Sequence, residues 1–111
     1  MKSIYKLLLY PLILTLAIVG NVYADQDIKQ GKINAETCLG CHAIPGYNNV
    51  YPTYKVPKLA GQHSDYIISA LNAYKNKERN HKTMHANAAL LSDKEIEQIA
   101  KYFESIQWIE Y

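Results

Sequence analysis

Apolar positions recur at helical spacing in three stretches of the chain. Residues 93–107 carry the strongest pattern, with Ile96, Ile99, Ala100, Phe103 and Ile106 falling on one face of a 3.6-residue period. Ser92 and Glu95 stand ahead of it in the S-x-x-E order of a capping box, where each side chain serves a backbone N–H that the first turn leaves unpaired. Residues 65–76 repeat the stripe with Ile67, Ala70, Leu71 and Tyr74, and Ser64 is placed as their N-cap. Residues 26–37 show a weaker version in Ile28, Gly31 and Ala35. No segment alternates as a half-buried strand does. The pattern predicts an all-α domain. About twenty residues between His42 and His63 are irregular and hold Pro45, Gly46, Pro52 and Pro57.

The first two dozen residues follow a different rule. Lys2 and Lys6 precede a stretch from Leu7 to Val19 that is almost wholly apolar, and Val22-Tyr23-Ala24 ends it with small residues where a signal peptidase reads. That order predicts a secretory signal peptide over 1–24, cleaved after Ala24, and a single domain over 25–111. The apolar run is short for a membrane span, although an uncleaved anchor is the competing reading. The whole chain has 12 Lys and Arg against 10 Asp and Glu. Lys2 and Lys6 leave with the signal, so the remainder is balanced, which argues against a nucleic-acid binder. A domain this short has a thin core, and one C-x-x-C pair closes too small a loop to staple it. Something else must supply apolar volume.

Residues 38–42 read Cys38-Leu39-Gly40-Cys41-His42, the C-x-x-C-H pattern of covalent haem attachment. Two thiols at this spacing add to the vinyl groups of one porphyrin, and the imidazole that follows is carried beneath the iron. Two other chemistries use the same cysteines. A thioredoxin-like redox pair wants a βαβ surround, and no such pattern is present. Zinc wants four ligands, which His63, His81 and His85 would have to complete. For the second axial position Met84 is the candidate, since Met1 leaves with the signal and a thioether opposite histidine is an established iron pair. Met84 lies in the polar run 80–87, outside any apolar stripe, in what reads as a loop between helices. His81 and His85 are its rivals as ligands. Tyr47, Tyr51 and Tyr54 suit packing on the porphyrin, with their hydroxyls toward water or a propionate. His63 reads as a surface or capping residue.

With these landmarks the chain resembles a class I c-type cytochrome of the short bacterial mono-haem branch, over residues 26–107. The resemblance rests on Gly31-Lys32, the 38–42 box, Pro57-Lys58-Leu59-Ala60-Gly61-Gln62, Tyr66 with Leu71 and Tyr74-Lys75, Met84, and Leu91-Ser92-Asp93 leading to Ile99-Ala100-Lys101-Tyr102-Phe103. It implies a small cytochrome c-like fold of three to four helices wrapped around one covalent haem c. It implies Cys38 and Cys41 as the thioether positions, His42 and Met84 as axial iron ligands, and the Pro57 carbonyl as acceptor from the other nitrogen of His42. It also implies a close crossing of the first and last helices at Gly31, against Tyr102. The chain departs from the pattern after the middle helix, where Asn76-Lys77-Glu78-Arg79 stands in place of a glycine turn, and between Tyr47 and Val56.

Two protein ligands on iron leave no position for substrate, so the expected role is outer-sphere electron transfer between redox partner proteins, not catalysis on a small molecule. A haem-based redox or gas sensor and a fixed electron-transfer subunit of a dehydrogenase or oxidase complex are the alternatives. Lys75, Lys77, Arg79 and Lys82 outweigh Glu78, and Lys55 and Lys58 lie in the other haem-facing loop, whereas 93–110 is acidic. The expected molecule is dipolar, with its positive end near Met84 and turned toward an acidic partner surface. The signal places it in the periplasm.

Overall fold

The computed structural model describes residues 22–107, with the isolated Pro11. The predicted signal segment therefore lies almost wholly outside the described residues, and its last three, 22–24, are exposed and helical. Among the described residues no helix is long and apolar enough to cross a membrane.

Among the described residues, five helical segments and one hairpin follow in order: α1 over 22–34, α2 Glu36–His42, β1 Asn48–Val50, β2 Thr53–Lys55, α3 Ser64–Lys75, α4 Lys82–Ala88 and α5 Asp93–Ser105. The helix expected over 26–37 is two segments, separated by a turn at Ala35, whose N–H still bonds to Gly31 O at 2.9 Å. The irregular stretch is not wholly irregular. β1 and β2 form an antiparallel hairpin with Asn49 opposite Tyr54, closed through a cis Tyr51–Pro52 bond. Strands of three residues are too short for alternation to register, so the sequence carried no period to detect.

α5 matches its pattern best. It buries Ile96, Gln98, Ile99, Ala100 and Phe103, and its capping box is complete: Ser92 N donates to Glu95 Oε2 at 2.8 Å and Glu95 N to Ser92 Oγ at 3.3 Å. The Ser92 N–H, and the Ser92 hydroxyl that donates to the same oxygen at 2.7 Å, hold the Glu95 carboxyl below the usual carboxylate range. The cap predicted for α3 is different. Ser64 is the first helical residue, His63 occupies the N-cap position without a side-chain bond, and Glu104 of α5 reaches across to accept from Ser64 N at 3.0 Å. A cap supplied from forty residues away has no local signal.

The turn after α3 takes the form the sequence made necessary. Lys77 adopts φ 62°, its N–H bonds to Tyr74 O at 3.1 Å, and the Glu78 N–H bonds to Ala73 O at 2.9 Å. This is a Schellman closure with lysine where glycine is usual.

The core cluster is small: Ala35, Ile67, Leu71, Ala88, Ile96, Ile99, Ala100 and Phe103. α3 packs against both α4 and α5, and α1 crosses α5 at Gly31. A Cβ there would lie 2.0 Å from Gln98 O and 3.0 Å from the Tyr102 Cβ. The missing side chain is what lets the two backbones meet. Beside the crossing, Gln98 is 7% exposed and fully partnered. Its Nε2 donates to Asp27 Oδ1 and its Oε1 accepts from Asn34 Nδ2, both at 3.1 Å. Lys101 Nζ donates to the other Asp27 oxygen at 2.7 Å. The Lys101 and Gln98 bonds lower the Asp27 carboxyl below its ordinary value.

Gly31→Ala must push α1 and α5 apart, and is expected to lower unfolding free energy by about 3 kcal/mol, the upper end of overpacking costs; denaturant unfolding of the purified protein measures it. Glu104 is held below the ordinary carboxylate value, first by the Ser64 backbone N–H. Its contribution to stability is complete above about pH 4.5 and is lost as pH falls through the lower folded value. Glu104→Gln is therefore expected to cost stability at neutral pH, and to converge with the parent below that window in melts taken across pH.

Candidate cofactor site

α2 places Cys38, Cys41 and His42 at i, i+3 and i+4, the spacing that puts three side chains on one face of a helix. The thiols are free, Cys38 half-buried and Cys41 exposed. Burial pushes the Cys38 thiol up, the reverse of what a reactive thiolate pair needs. The His42 ring is fixed from behind: its Nδ1 lies 2.6 Å from Pro57 O. A carbonyl can only accept, so Nδ1 carries the proton and Nε2 keeps its lone pair for a metal.

These groups open on a cavity of about 920 Å³. Val56, Leu59, Ile67, Leu71, Ile99 and Phe103 form its apolar wall, and α4 contributes Met84. Such a volume, largely apolar with a few converging donors, is the character of a cofactor site. Its charged lining residues are Lys55, Lys58 and Arg79, with no acid among the described lining. A shallower recess of about 700 Å³ between α1 and the start of α5 has no thiol, imidazole or thioether and does not compete for the chemistry.

Met84 does not sit in a loop, as its polar surroundings suggested. It belongs to α4, whose seven residues are too few to show a stripe and whose cap is an unusual one, His81 Nδ1 accepting from Met84 N at 3.4 Å. Both rival imidazoles are engaged with neighbouring groups. His81 lines the cavity but spends Nδ1 on that cap and stacks edge-on against Tyr54, ring centroids 4.6 Å apart. His85 is not among the lining residues, and its Nε2 lies 2.7 Å from Arg79 O, donating to that carbonyl. His63 is exposed, 3.9 Å from Glu104. Among the described residues no three His, Cys, Asp or Glu side chains converge as a metal site, so the zinc arrangement is not formed.

Of the three tyrosines expected on the cofactor, Tyr54 lines the cavity; Tyr47 does not, and Tyr51 is 94% exposed at the hairpin tip. Only Tyr54 is a strand residue: Tyr47 precedes β1 and Tyr51 lies in the turn between the strands. Tyr66 and Tyr74 of α3 line it instead, and Arg79 lies over the Tyr74 ring at 4.9 Å and donates to the Tyr66 hydroxyl at 3.3 Å. The helical stripe already marked Tyr74. In the sequence, Tyr66 is marked only by the family resemblance, and Arg79 only by the basic run and the turn that stands in place of glycine.

A sequence model of the cytochrome c family matches residues 28–107. The chain belongs to the cytochrome c family. It is 36% identical to cytochrome c4 of Pseudomonas aeruginosa, over 88% of this chain and 47% of that one. It is 35% identical to cytochrome c-554(548) of Halomonas halodenitrificans, over 71% of this chain and 95% of that one. The crystal structure of reduced recombinant cytochrome c4 from Pseudomonas stutzeri superposes with a TM-score of 0.60 at 29% identity, covering 75% of this chain and 50% of that one. The chain thus spans about half the length of the c4 relatives it matches. The cofactor of a c-type cytochrome is covalent haem c with its iron. The donor set fits that group: two thiols and an imidazole on one helix face, and a thioether in an apolar cavity.

Proposed function

We propose that the chain is an exported, mono-haem electron carrier that passes single electrons between redox partner proteins and has no catalytic role of its own. The observation that carries this is the fixed His42 ring, its Nε2 left available by the Pro57 bond, in a cavity that also holds Met84. When bound, haem c supplies a one-electron iron couple. In this reading Cys38 and Cys41 would hold the group covalently, and His42 Nε2 and Met84 Sδ would ligate its iron. With two protein groups on the iron, no position would be left for a substrate. The thioether favours the reduced iron and raises the potential, and the Pro57 carbonyl tunes His42 through its other nitrogen. The apolar wall excludes water and limits reorganisation. The domain is 25–111 after export to the periplasm, a reading that rests on the signal pattern of 1–24.

The partner is expected to present an acidic surface, because Lys55, Lys58 and Arg79 border the cavity and no acid among the described residues lines it. Lys75 belongs elsewhere. Its Nζ donates to Leu91 O at 2.6 Å and lies 3.5 Å from Asp93, so the basic run counted along the sequence overstates the charge at the cavity.

Protein matured with its haem and oxidised is expected to show the weak red charge-transfer band of methionine-bound ferric iron. Met84→Ala is expected to lose that band and, when reduced, to bind carbon monoxide stoichiometrically where the parent binds almost none. A parent without the band, or a variant that keeps it, removes Met84 as a ligand. Reduction of the ferric protein by an anionic reagent is expected to slow about tenfold as salt rises and the screening length shrinks. Lys55→Glu is expected to slow it at low salt and flatten the response; stopped-flow rates that ignore both changes remove the acidic-partner reading.

A further inference from the structure

We infer that Tyr54 is a positioning residue for Met84, and that segment 54–57 is a strut bearing on both candidate iron ligands at once; this rests on the Met84 ligation proposed above. At one end of the strut, Pro57 O holds His42 Nδ1 at 2.6 Å. At the other, the Tyr54 hydroxyl shares a 3.0 Å hydrogen bond with Thr83 Oγ1, and the Tyr54 ring meets the His81 ring edge-to-face at 80°. Thr83 immediately precedes Met84, and His81 caps the Met84 N–H. Tyr54 therefore grips α4 at the two residues that set where Met84 begins its turn.

α4 needs such a grip. It has seven residues, less than two turns, and helices of that length have little stability of their own. Its aim must come from outside. On one side the end of α3 steadies it, through the Tyr74 ring near His81 and His85 and through the Arg79 carbonyl on His85. On the side of the hairpin, Tyr54 does so. Tyr54 is itself anchored, since it pairs with Asn49 in the strand register, and the Val56 N–H bonds to Tyr47 O at 3.0 Å where the hairpin closes. A displacement of the strut would move the His42 acceptor and the α4 clasp together. The function that follows is to keep the thioether on the iron and the sixth position closed to outside ligands.

The test uses the haem-loaded protein and two readouts: the rate of carbon monoxide binding to the reduced form, and the denaturant midpoint of the red charge-transfer band against the midpoint of helical circular dichroism. Tyr54→Phe and Thr83→Val each delete the shared hydrogen bond and keep the shape. Each is expected to speed carbon monoxide binding about fivefold, the factor supported by one neutral hydrogen bond. Each is also expected to lose the band at lower denaturant than the helix signal. The double variant should add little to either single one, since both remove the same bond. Tyr51→Phe, at the exposed hairpin tip, should match the parent. Band and helix midpoints that move in step, with carbon monoxide binding unchanged, would make Tyr54 a merely structural residue and overturn the inference. A parent that lacks the band would overturn the Met84 reading and this one with it; a parent that has it, with variants that behave like the parent, overturns the strut alone.

Discussion

The hydrogen bond between His42 and the Pro57 carbonyl is the contact on which the site's chemistry turns. It joins two parts of the chain that share no secondary structure, α2 and the segment after the hairpin, at 2.6 Å. A backbone carbonyl is an acceptor that no substitution of its own side chain removes, so the tautomer of His42 is written into the path of the main chain. That path is held in turn by the hairpin closure at Val56 and by Gly61, whose N–H bonds to Phe103 O at 2.8 Å. The imidazole is thus oriented by the fold, not by a neighbouring side chain.

The rest of the molecule is arranged so that one set of apolar residues does two jobs. Ile67, Leu71, Ile99 and Phe103 belong to the core cluster and also line the cavity. A chain of this size has too few apolar side chains to build a separate core and a separate pocket. Sharing the wall makes the cofactor part of the core, which is where the missing apolar volume comes from. It also explains why α1 crosses α5 with so little between them. With large side chains committed to the cavity side, the opposite side of α5 is closed by backbone contact at Gly31 and by the paired amides of Gln98 and Asn34. Gln98 was not legible as a buried residue, because its burial depends on two partners in α1 more than sixty positions away.

What was legible in the sequence follows the range of the interactions involved. α5 and its capping box were readable because periodicity and the Ser92–Glu95 pair act within one helix. The 38–42 box was readable because three donors at helical spacing need no other part of the chain. The Gly31 crossing and the Pro57 carbonyl were reached through resemblance, and the structure gives each a steric or hydrogen-bonding reason. What could not be read depends on distant or very short elements. The cap on α3 comes from Glu104, the hairpin has three residues a side, and α4 is shorter than the period needed to reveal it. The tyrosines divide in the same way: Tyr74 stood in a stripe, whereas Tyr51 falls in the turn and Tyr54 in a strand of a hairpin too short for the sequence to declare.

Charge shows most clearly why a linear count needs the fold. The acidic excess along α5 is largely engaged within the molecule: Glu95 in its cap, Glu104 on Ser64 N and Asp93 near Lys75. Lys75 of the basic run is drawn into such contacts as well, and Lys101 of α5 is drawn to Asp27. A side chain held in an intramolecular bond contributes less to long-range steering, because its field is partly cancelled at short range. What bears on approach to the cofactor is position: Lys55 at the end of β2, Lys58 beyond it and Arg79 after α3 all lie at the cavity border. These come from two chain segments that the fold brings to one opening. Arg79 lies flat on Tyr74 and donates to Tyr66, so its charge is presented from a fixed position, not on a mobile arm. Under the proposed electron-carrier role, a positive border around an apolar cavity would select a partner by approach and orientation more than by buried area.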